Sequence, residues 1–326
     1  MKYTTKDNTI RFSRYVCFLT IAATVFLAIL RIALTPIATS QPIPYGVALG
    51  TTVILLAFLL FFSKTKTEES SAVSGDVVRV FAAFASVAGA AWVVFSIATL
   101  FNWWTTQTMP YPNKTLATAF DKGCLYLLAA MGLVAGLLFL RLAVRWWQTK
   151  QITAVQVPVL ALAPVAWTWV RLVRYITSHV SATGLFRNAY DLGMILFEMV
   201  FFLLLARYIA GVGNKASRMI FGVSLCTGLL CAISSISQVT FFLLQNGTAF
   251  QTVSLVIAPD FGIGLLAFSF AFSHAYGEKI ACDNQELDAQ QPEEIEEFGG
   301  AEFLISDTAF AVYDPDEAEA PPDHEE

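Results

Sequence analysis

The hydrophobic positions of this chain fall into eight long runs that are separated by short polar segments. Each run has about the 20 apolar residues that a helix needs to cross a bilayer with all of its backbone hydrogen bonds satisfied internally. The runs are Val16–Thr35, Ile43–Phe62, Val77–Phe101, Gly123–Leu142, Ile152–Tyr175, Tyr190–Ile209, Ser217–Leu244 and Thr252–Ser273. The pattern therefore predicts an all-α fold, a polytopic membrane helix bundle with about eight transmembrane helices.

The first run also permits a second interpretation. The basic residues Lys2, Lys6, Arg11 and Arg14 precede it, as they would in a secretory signal peptide. The apolar core of this run is long, however, and Ala38-Thr39-Ser40 is a poor cleavage site for a signal peptidase. We therefore interpret the run as an uncleaved first helix of the bundle.

The composition narrows the class of protein. The chain has 326 residues, of which 56% are hydrophobic and 14% charged, whereas a soluble domain carries about 25% charged residues. Its mean hydropathy is +0.61. These values exclude a soluble enzyme with a single core, a nucleic-acid-binding protein and a wholly disordered chain, and they make the lipid bilayer the expected environment.

The net charge of −5 averages two unlike parts of the chain. Residues 277–326 hold 17 acidic residues and one lysine, a net charge of −16, whereas residues 1–276 carry +11. With the N-terminus in the cytoplasm, 14 Lys and Arg residues fall on the cytoplasmic side and five on the outer side. Because cytoplasmic segments carry the excess of these residues, we expect an integral protein of the plasma membrane with both termini cytoplasmic.

This division predicts three parts: a basic cytoplasmic N-terminus at 1–15, the transmembrane bundle at 16–276 and an acidic cytoplasmic tail at 277–326. The tail has too few apolar residues to offset its ordering entropy, so we expect it to be mostly disordered. Two less polar segments, Phe298–Ile305 and Ala309–Tyr313, alternate with acidic residues. Such segments are typical of docking peptides, and they predict a cytoplasmic protein partner.

Small and aromatic residues indicate how the helices are placed. Trp103-Trp104 and Trp146-Trp147 are predicted to anchor helix ends at the membrane interface. Small residues four apart let helix backbones approach closely in lipid, and they predict contacts within the bundle. These pairs are Gly46 and Gly50, Ala85 and Gly89, and Gly132 and Gly136.

Prolines fall within two of the predicted helices. Pro158 and Pro164 are expected to interrupt the fifth helix, because proline lacks the backbone donor that a helix interior requires. Pro259 lies in the eighth run and is followed by Gly262 and Gly264. The segment from Pro259 to Gly264 is therefore the best candidate for a kinked region that lines a cavity.

Six ionisable residues fall in or beside the outer halves of the predicted helices. Charges in this position are costly and are functional candidates by default. The six are Arg31, Arg171, Arg174, Asp191, Glu198 and Asp260. At about 1.5 Å per residue, Glu198 and Asp260 are both expected about 12 Å below the outer surface. The sequence thus predicts that acids and bases from several helices converge at one level.

Two interpretations of this convergence stay open. The first is a structural lattice of ion pairs that holds the helices together and spares each charge its desolvation penalty. The second is an outward-facing polar cavity that binds a small solute or an ion. The corresponding functions are a transporter or sensor, and, as an alternative, a membrane scaffold or assembly protein that recruits a cytoplasmic partner through its tail.

No catalytic, metal or cofactor motif supports an enzyme. The three histidines and five cysteines form neither HExxH nor CxxC. Tyr190-Asp191 and the stretch from Asp260 to Gly264 are similar to the paired aspartates of presenilin-type intramembrane proteases. That family places its glycines before the second aspartate, however, whereas here they follow it. We therefore expect a non-enzymatic protein without a metal or a cofactor.

Overall fold

The protein is all-helical in the part of the chain that the structure describes. The computed structural model describes residues 2–34, 42–64, 76–101, 119–150, 158–178, 189–210, 214–245 and 258–276. All regular secondary structure within these ranges is helical. This result confirms the predicted fold class. The acidic tail at 277–326 lies outside the described residues, so the expectation of disorder and the predicted docking segments stay predictions.

Eight α-helices follow one another along the described residues. They are α1 (Lys2–Leu34), α2 (Pro42–Lys64), α3 (Asp76–Leu100), α4 (Ala119–Thr149), α5 (Ala163–Ser178), α6 (Ala189–Ile209), α7 (Asn214–Gln245) and α8 (258–276). Helix α1 starts well before the first apolar run, so most of the basic segment 1–15 is helical as well. Helix α1 also packs against α2 and α7, as expected for an integral part of the bundle.

Six of these helices are long and apolar enough to cross a membrane, which makes this a multi-pass membrane protein. They are α1, α2, α3, α4, α6 and α7. Their outer faces carry large apolar side chains, among them Phe26, Ile54 and Phe61, each more than 60% exposed. Apolar surface of this extent requires a non-aqueous environment. The two remaining helices carry three of the six ionisable residues that are predicted to converge: Arg171 and Arg174 in α5, and Asp260 in α8.

The described part of the fifth run changes from a 3₁₀ turn to an α-helix beside Pro164. Residues 158–162 form a short 3₁₀ turn that starts at Pro158, and α5 follows with Pro164 as its second residue. Proline is favourable in a first turn, where its missing N–H has no partner to lose. Pro259 lies in α8, which is described from residue 258 onward. Residues 152–157 and 252–257 of the predicted runs lie outside the described residues.

Helices α3 and α4 form the most extensive helix pair. The buried residues of α3 recur every three or four positions, as the core residues of a coiled coil do. Two glycines bring the backbones together: a Cβ on Gly136 would lie 2.7 Å from the Gly89 carbonyl oxygen. The pairs containing Gly89 and Gly136 therefore pack inside the bundle. Gly46 and Gly50 of α2, by contrast, have no neighbouring atom within 4 Å of a built Cβ among the described contacts.

Helix α7 is the centre of the bundle. In its apolar stretch 83% of the residues are buried, compared with 28% in α2. It packs against α1, α2 and α6. It also packs against α8. A Cβ built on Gly264 would lie 2.8 Å from the Cβ of Cys231, so only glycine permits this approach. Similarly, a Cβ built on Gly262 would lie 3.0 Å from the Cα of Ala88 in α3. The glycines after Asp260 thus serve close packing of α8.

Several contacts place one end of α1, α3, α4 and α8 on the same side of the bundle. The guanidinium of Arg14, at the start of the apolar stretch of α1, lies 5.0 Å from the ring centroid of Tyr276 in the last turn of α8. Lys150, just after α4, pairs with Asp76 at the start of α3 at 3.2 Å. We call this side the basic end.

Trp146 corrects the prediction of paired interfacial anchors. Its side chain is fully buried and stacks on Phe81 of α3, with 5.2 Å between the ring centroids. Trp147 is 51% exposed and lies under the Arg79 guanidinium. One residue of the pair therefore belongs to the core, because adjacent residues on a helix point about 100° apart. Trp103 and Trp104 lie outside the described residues.

The contact between Gly89 and Gly136 yields a stability prediction. Replacing Gly136 with Ala puts a methyl group against the Gly89 carbonyl, so we expect a loss of about 1–3 kcal/mol from overpacking. The matched control is Gly50→Ala, since its Cβ enters open space. Thermal unfolding of both variants in the same detergent measures the difference. Equal melting temperatures for the two variants would contradict the described packing.

Candidate functional site

The predicted charged residues meet at the other side of the bundle, opposite the basic end. Five of the six form ion pairs with one another, and we call these five the charge cluster. Its members are Arg31 of α1, Arg171 of α5, Asp191 and Glu198 of α6, and Asp260 of α8. Arg174 lies one turn further along α5 and is half-buried. The structure thus brings together residues that are up to 229 positions apart in the sequence.

One half of the cluster is centred on Asp191. Its Oδ1 accepts hydrogen bonds from Arg31 Nη2 at 2.9 Å, from the Ser234 hydroxyl and from Gln238 Nε2 at 3.3 Å. Arg31 has a side chain that is 7% exposed, and its guanidinium lies 5.0 Å from the ring centroid of Tyr190. A buried arginine is thereby paired with a carboxylate and stacked on an aromatic ring, as the desolvation cost of its charge requires.

Tyr190 extends this half of the cluster to α2. Its hydroxyl and the Thr52 hydroxyl are hydrogen-bonded at 3.1 Å, and its ring packs edge-on against Tyr45 with 6.1 Å between centroids. Tyr45 and Tyr190 are both nearly completely buried. This hydrogen bond satisfies the Tyr190 hydroxyl, which would otherwise be buried without a partner. Helices α1, α2, α6 and α7 are therefore joined by a polar network near this end of the bundle.

The other half of the cluster is centred on Arg171. Its Nη1 and Nη2 donate to the two carboxylate oxygens of Asp260, the Nη2 bond measuring 2.6 Å. The same Nη1 also approaches Glu198 Oε2 at 3.2 Å. The guanidinium lies 5.2 Å from the ring centroid of Trp167, one turn before it on α5. One arginine thus serves two carboxylates that come from different helices.

Glu198 is the most deeply buried member, with a side chain that is 0% exposed. It lies in the middle of the buried face of α6, about 14 Å along the helix from its start at Ala189. The Cys231 thiol of α7 donates to its Oε1 at 3.3 Å. Arg171 and Asp191 are more accessible, with side chains that are 21% and 17% exposed. The charge cluster is therefore fully buried at Glu198 and partly exposed at Arg171 and Asp191.

The similarity to paired intramembrane aspartates does not extend to the geometry. Asp191 pairs with Arg31 and Asp260 pairs with Arg171, so each aspartate is held by a different guanidinium. Two carboxyl groups that work as an acid–base dyad share one proton between them. The described contacts give these two carboxylates separate partners.

The polar residues of α7 were missed in the sequence, although a signal was present. Cys231, Ser234 and Gln238 recur at spacings of three and four residues, which places them on one face of a helix. Each of them contacts a carboxylate of α6. A polar stripe inside an otherwise apolar helix could therefore have indicated which face of α7 meets α6.

Comparisons with known protein families, with curated proteins and with solved structures found no match. The interpretation of the site therefore depends on its own geometry. The observed ion pairs and hydrogen bonds fit the lattice interpretation, and the accessible edge at Arg171 and Asp191 fits the cavity interpretation as well.

The shared guanidinium predicts a large effect on stability. Replacing Arg171 with Gln leaves Asp260 and Glu198 buried without their cation, and removing one partner of a buried ion pair costs about 3–5 kcal/mol. Adding Asp260→Asn to this variant should recover part of the loss, because one uncompensated charge is then removed. Thermal unfolding in lipid–detergent micelles measures both changes.

The matched control for these variants is Asp76→Asn. It breaks an ion pair whose carboxylate is 76% exposed, and such pairs are worth about 0–1 kcal/mol. If Arg171→Gln is no more destabilising than Asp76→Asn, the charge cluster does not hold the bundle together.

Proposed function

We propose that this protein is a non-enzymatic transporter or sensor that binds a small solute or an ion at the charge cluster. The observation that supports the proposal is a pair of buried polar atoms beside the cluster. The Ser96 hydroxyl of α3 and Trp167 Nε1 of α5 have no hydrogen-bond partner among the described residues. Ser96 is 0% and Trp167 is 2% exposed. Buried polar atoms in folded proteins are nearly always paired with protein, water or ligand.

Both atoms converge on Gly132 of α4. A Cβ at this position would lie 2.7 Å from Ser96 Oγ and 3.3 Å from Trp167 Nε1. Glycine therefore lets the Ser96 and Trp167 side chains approach the α4 backbone closely. A lattice of ion pairs alone requires no unsatisfied donors here. An oxygen atom of water or of a bound solute would satisfy them.

Trp167 connects these donors to the charges. The face of its indole ring lies against the Arg171 guanidinium, while its Nε1 points to the Gly132 side. A solute at Gly132 would therefore lie one ring away from the ion pair between Arg171 and Asp260. This arrangement combines hydrogen-bond donors with nearby fixed charges of both signs, which is typical of sites for small polar ligands.

The distribution of charge supports an orientation for the proposed site. Arg14, Arg79 and Lys150 lie at the basic end, and the cytoplasmic side of a membrane protein carries the excess of Lys and Arg. The basic end then faces the cytoplasm, and the charge cluster faces the outside of a plasma-membrane protein. Both chain termini are cytoplasmic in this orientation.

The orientation is tested with a reporter that is active only in the cytoplasm, fused after Glu326. We expect activity from this fusion, because Tyr276 of α8 shares the basic end with Arg14 of α1. The control fusion carries the same reporter within 102–118, which follows α3 on the opposite side, and should be inactive. Labelling of the Glu326 end by an impermeant reagent on intact cells would contradict the orientation.

The binding proposal is tested by thermal stabilisation of the purified protein with sodium, potassium, ammonium, glycine and alanine. A ligand at 100 times its Kd stabilises the folded state by about 2.7 kcal/mol. We expect at least one of these probes to raise the melting temperature, and Ser96→Ala to weaken that binding about two- to tenfold, the value of one hydrogen bond.

Thr99→Ala is the matched control for this experiment. Thr99 lies on the same helix, and its hydroxyl donates to the Phe95 carbonyl at 2.7 Å. Its loss should leave the affinity unchanged. Equal affinities in Ser96→Ala and Thr99→Ala, or no stabilisation by any of the probes, would contradict the proposal. Uptake of the stabilising probe into proteoliposomes then separates a transporter from a sensor.

A further inference from the structure

Arg171 makes unequal hydrogen bonds to its two carboxylates. Asp260 receives two hydrogen bonds, one to each of its oxygens, which is the bidentate form that a guanidinium favours. Glu198 receives a single contact of 3.2 Å from Nη1, which already donates to Asp260. Asp260 is therefore the carboxylate that neutralises Arg171, and Glu198 is an additional acid in the same site.

Among the residues that the structure describes, the surroundings of Glu198 add no second cation to this site. Helix α5 contributes Arg171, α7 contributes the Cys231 thiol and α8 contributes Asp260. On α6 itself, Asp191 lies two turns away and is paired with Arg31 of α1. A fully buried carboxylate in contact with half of one guanidinium carries a large desolvation penalty. A proton on Glu198 removes this penalty without any movement of the helices.

We infer that Glu198 is a proton-binding site that exchanges its proton with Asp260 when their shared guanidinium, Arg171, turns from one carboxyl group to the other. In the inferred resting state Asp260 is the anion paired with Arg171, and Glu198 holds the proton. When the guanidinium turns to Glu198, the O–H bond of Glu198 breaks and an O–H bond forms on Asp260. One guanidinium, one carboxylate and one carboxylic acid are present before and after the exchange, so no co-reactant is required.

The position of Asp260 gives this exchange a direction. The Asp260 side chain is 5% exposed and is paired to the partly exposed Arg171. Glu198 lies deeper and is fully buried. Carboxyl chains of this kind carry protons in membrane pumps and transporters. The inference deepens the proposed function, on which its role in transport rests, and it adds a proton site beside the proposed binding site.

The protonation of Glu198 is tested by infrared spectroscopy of the full-length protein in lipid bilayers at neutral pH. We expect the carbonyl stretching band of a neutral carboxylic acid in the wild type, and its loss in Glu198→Gln. The matched control is Asp76→Asn, an amide replacement of a carboxylate that is 76% exposed and lies outside the charge cluster, which should keep the band. Absence of the band from the wild type, or its persistence in Glu198→Gln, would overturn the inference.

Isotope labelling keeps the test independent of whether Glu198→Gln folds. Wild-type protein with ¹³C-labelled glutamate carboxyl groups should show a shifted band, whereas ¹³C-labelled aspartate should not shift it. Before residue 277 the chain has two other glutamates, Glu68 and Glu69, in the polar segment between α2 and α3. A shift with labelled aspartate instead would place the proton on another residue and overturn the assignment.

The outcomes also separate this inference from the proposed function. The infrared band is measured without any solute, so it reports on the proton site alone. A band assigned to Glu198 together with no solute binding supports the proton site and contradicts the proposed function. Solute binding without the band supports the proposed function and overturns the proton site.

Discussion

The constraint on which this structure depends is the cost of placing ionised groups among apolar helices. A charge away from water is tolerated only when a partner of opposite sign and enough hydrogen bonds surround it. Arg171 contacts two carboxyl groups at once, and in doing so it connects α5 to both α6 and α8. The pair of Arg31 and Asp191 connects α1 to α6 in the same way. The charges therefore specify which helices are neighbours.

Apolar packing supplies the rest of the arrangement, although by a different physical route. In lipid, burial of apolar side chains against one another is not favoured by exclusion of water, so close van der Waals contact has to hold the helices. Glycines provide that contact between α3 and α4 and between α7 and α8. The same close approach at Gly132 brings the hydroxyl of Ser96 and the indole nitrogen of Trp167 against the α4 backbone, where neither has a hydrogen-bond partner among the described residues.

The lattice and the site need not exclude each other. A cluster that connects four helices also fixes the positions of its charges. Charges that are already fixed bind a small ligand without the entropy cost of ordering their side chains. In the inferred exchange, the sharing of one guanidinium by two carboxyl groups would give the cluster two arrangements of equal charge. A structural ion pair requires only one arrangement, so the second carboxyl group is the feature on which the proposed function and the inferred proton site depend.

Much of this protein could be predicted from its sequence. The apolar runs and their spacing specify a multi-pass helical bundle, because a chain in lipid must satisfy its backbone hydrogen bonds within each segment. The six candidate residues followed from the same reasoning, since charged residues are costly in such runs. Whether they bind a ligand stays a prediction. The scaffold alternative depends on the tail at 277–326, which lies outside the described residues.

Other features were decided only by the tertiary structure. The apolar pattern around Trp146 is the same for an interfacial and a core residue, and only its stacking on Phe81 distinguishes them. The sequence also could not assign Arg171 to Asp260 and Arg31 to Asp191, because pairing depends on distances between helices that are remote along the chain. Local sequence thus determined where helices form and which residues are costly to bury. The packing of those helices decided which charges neutralise each other, because electrostatic attraction acts through space and depends on distance.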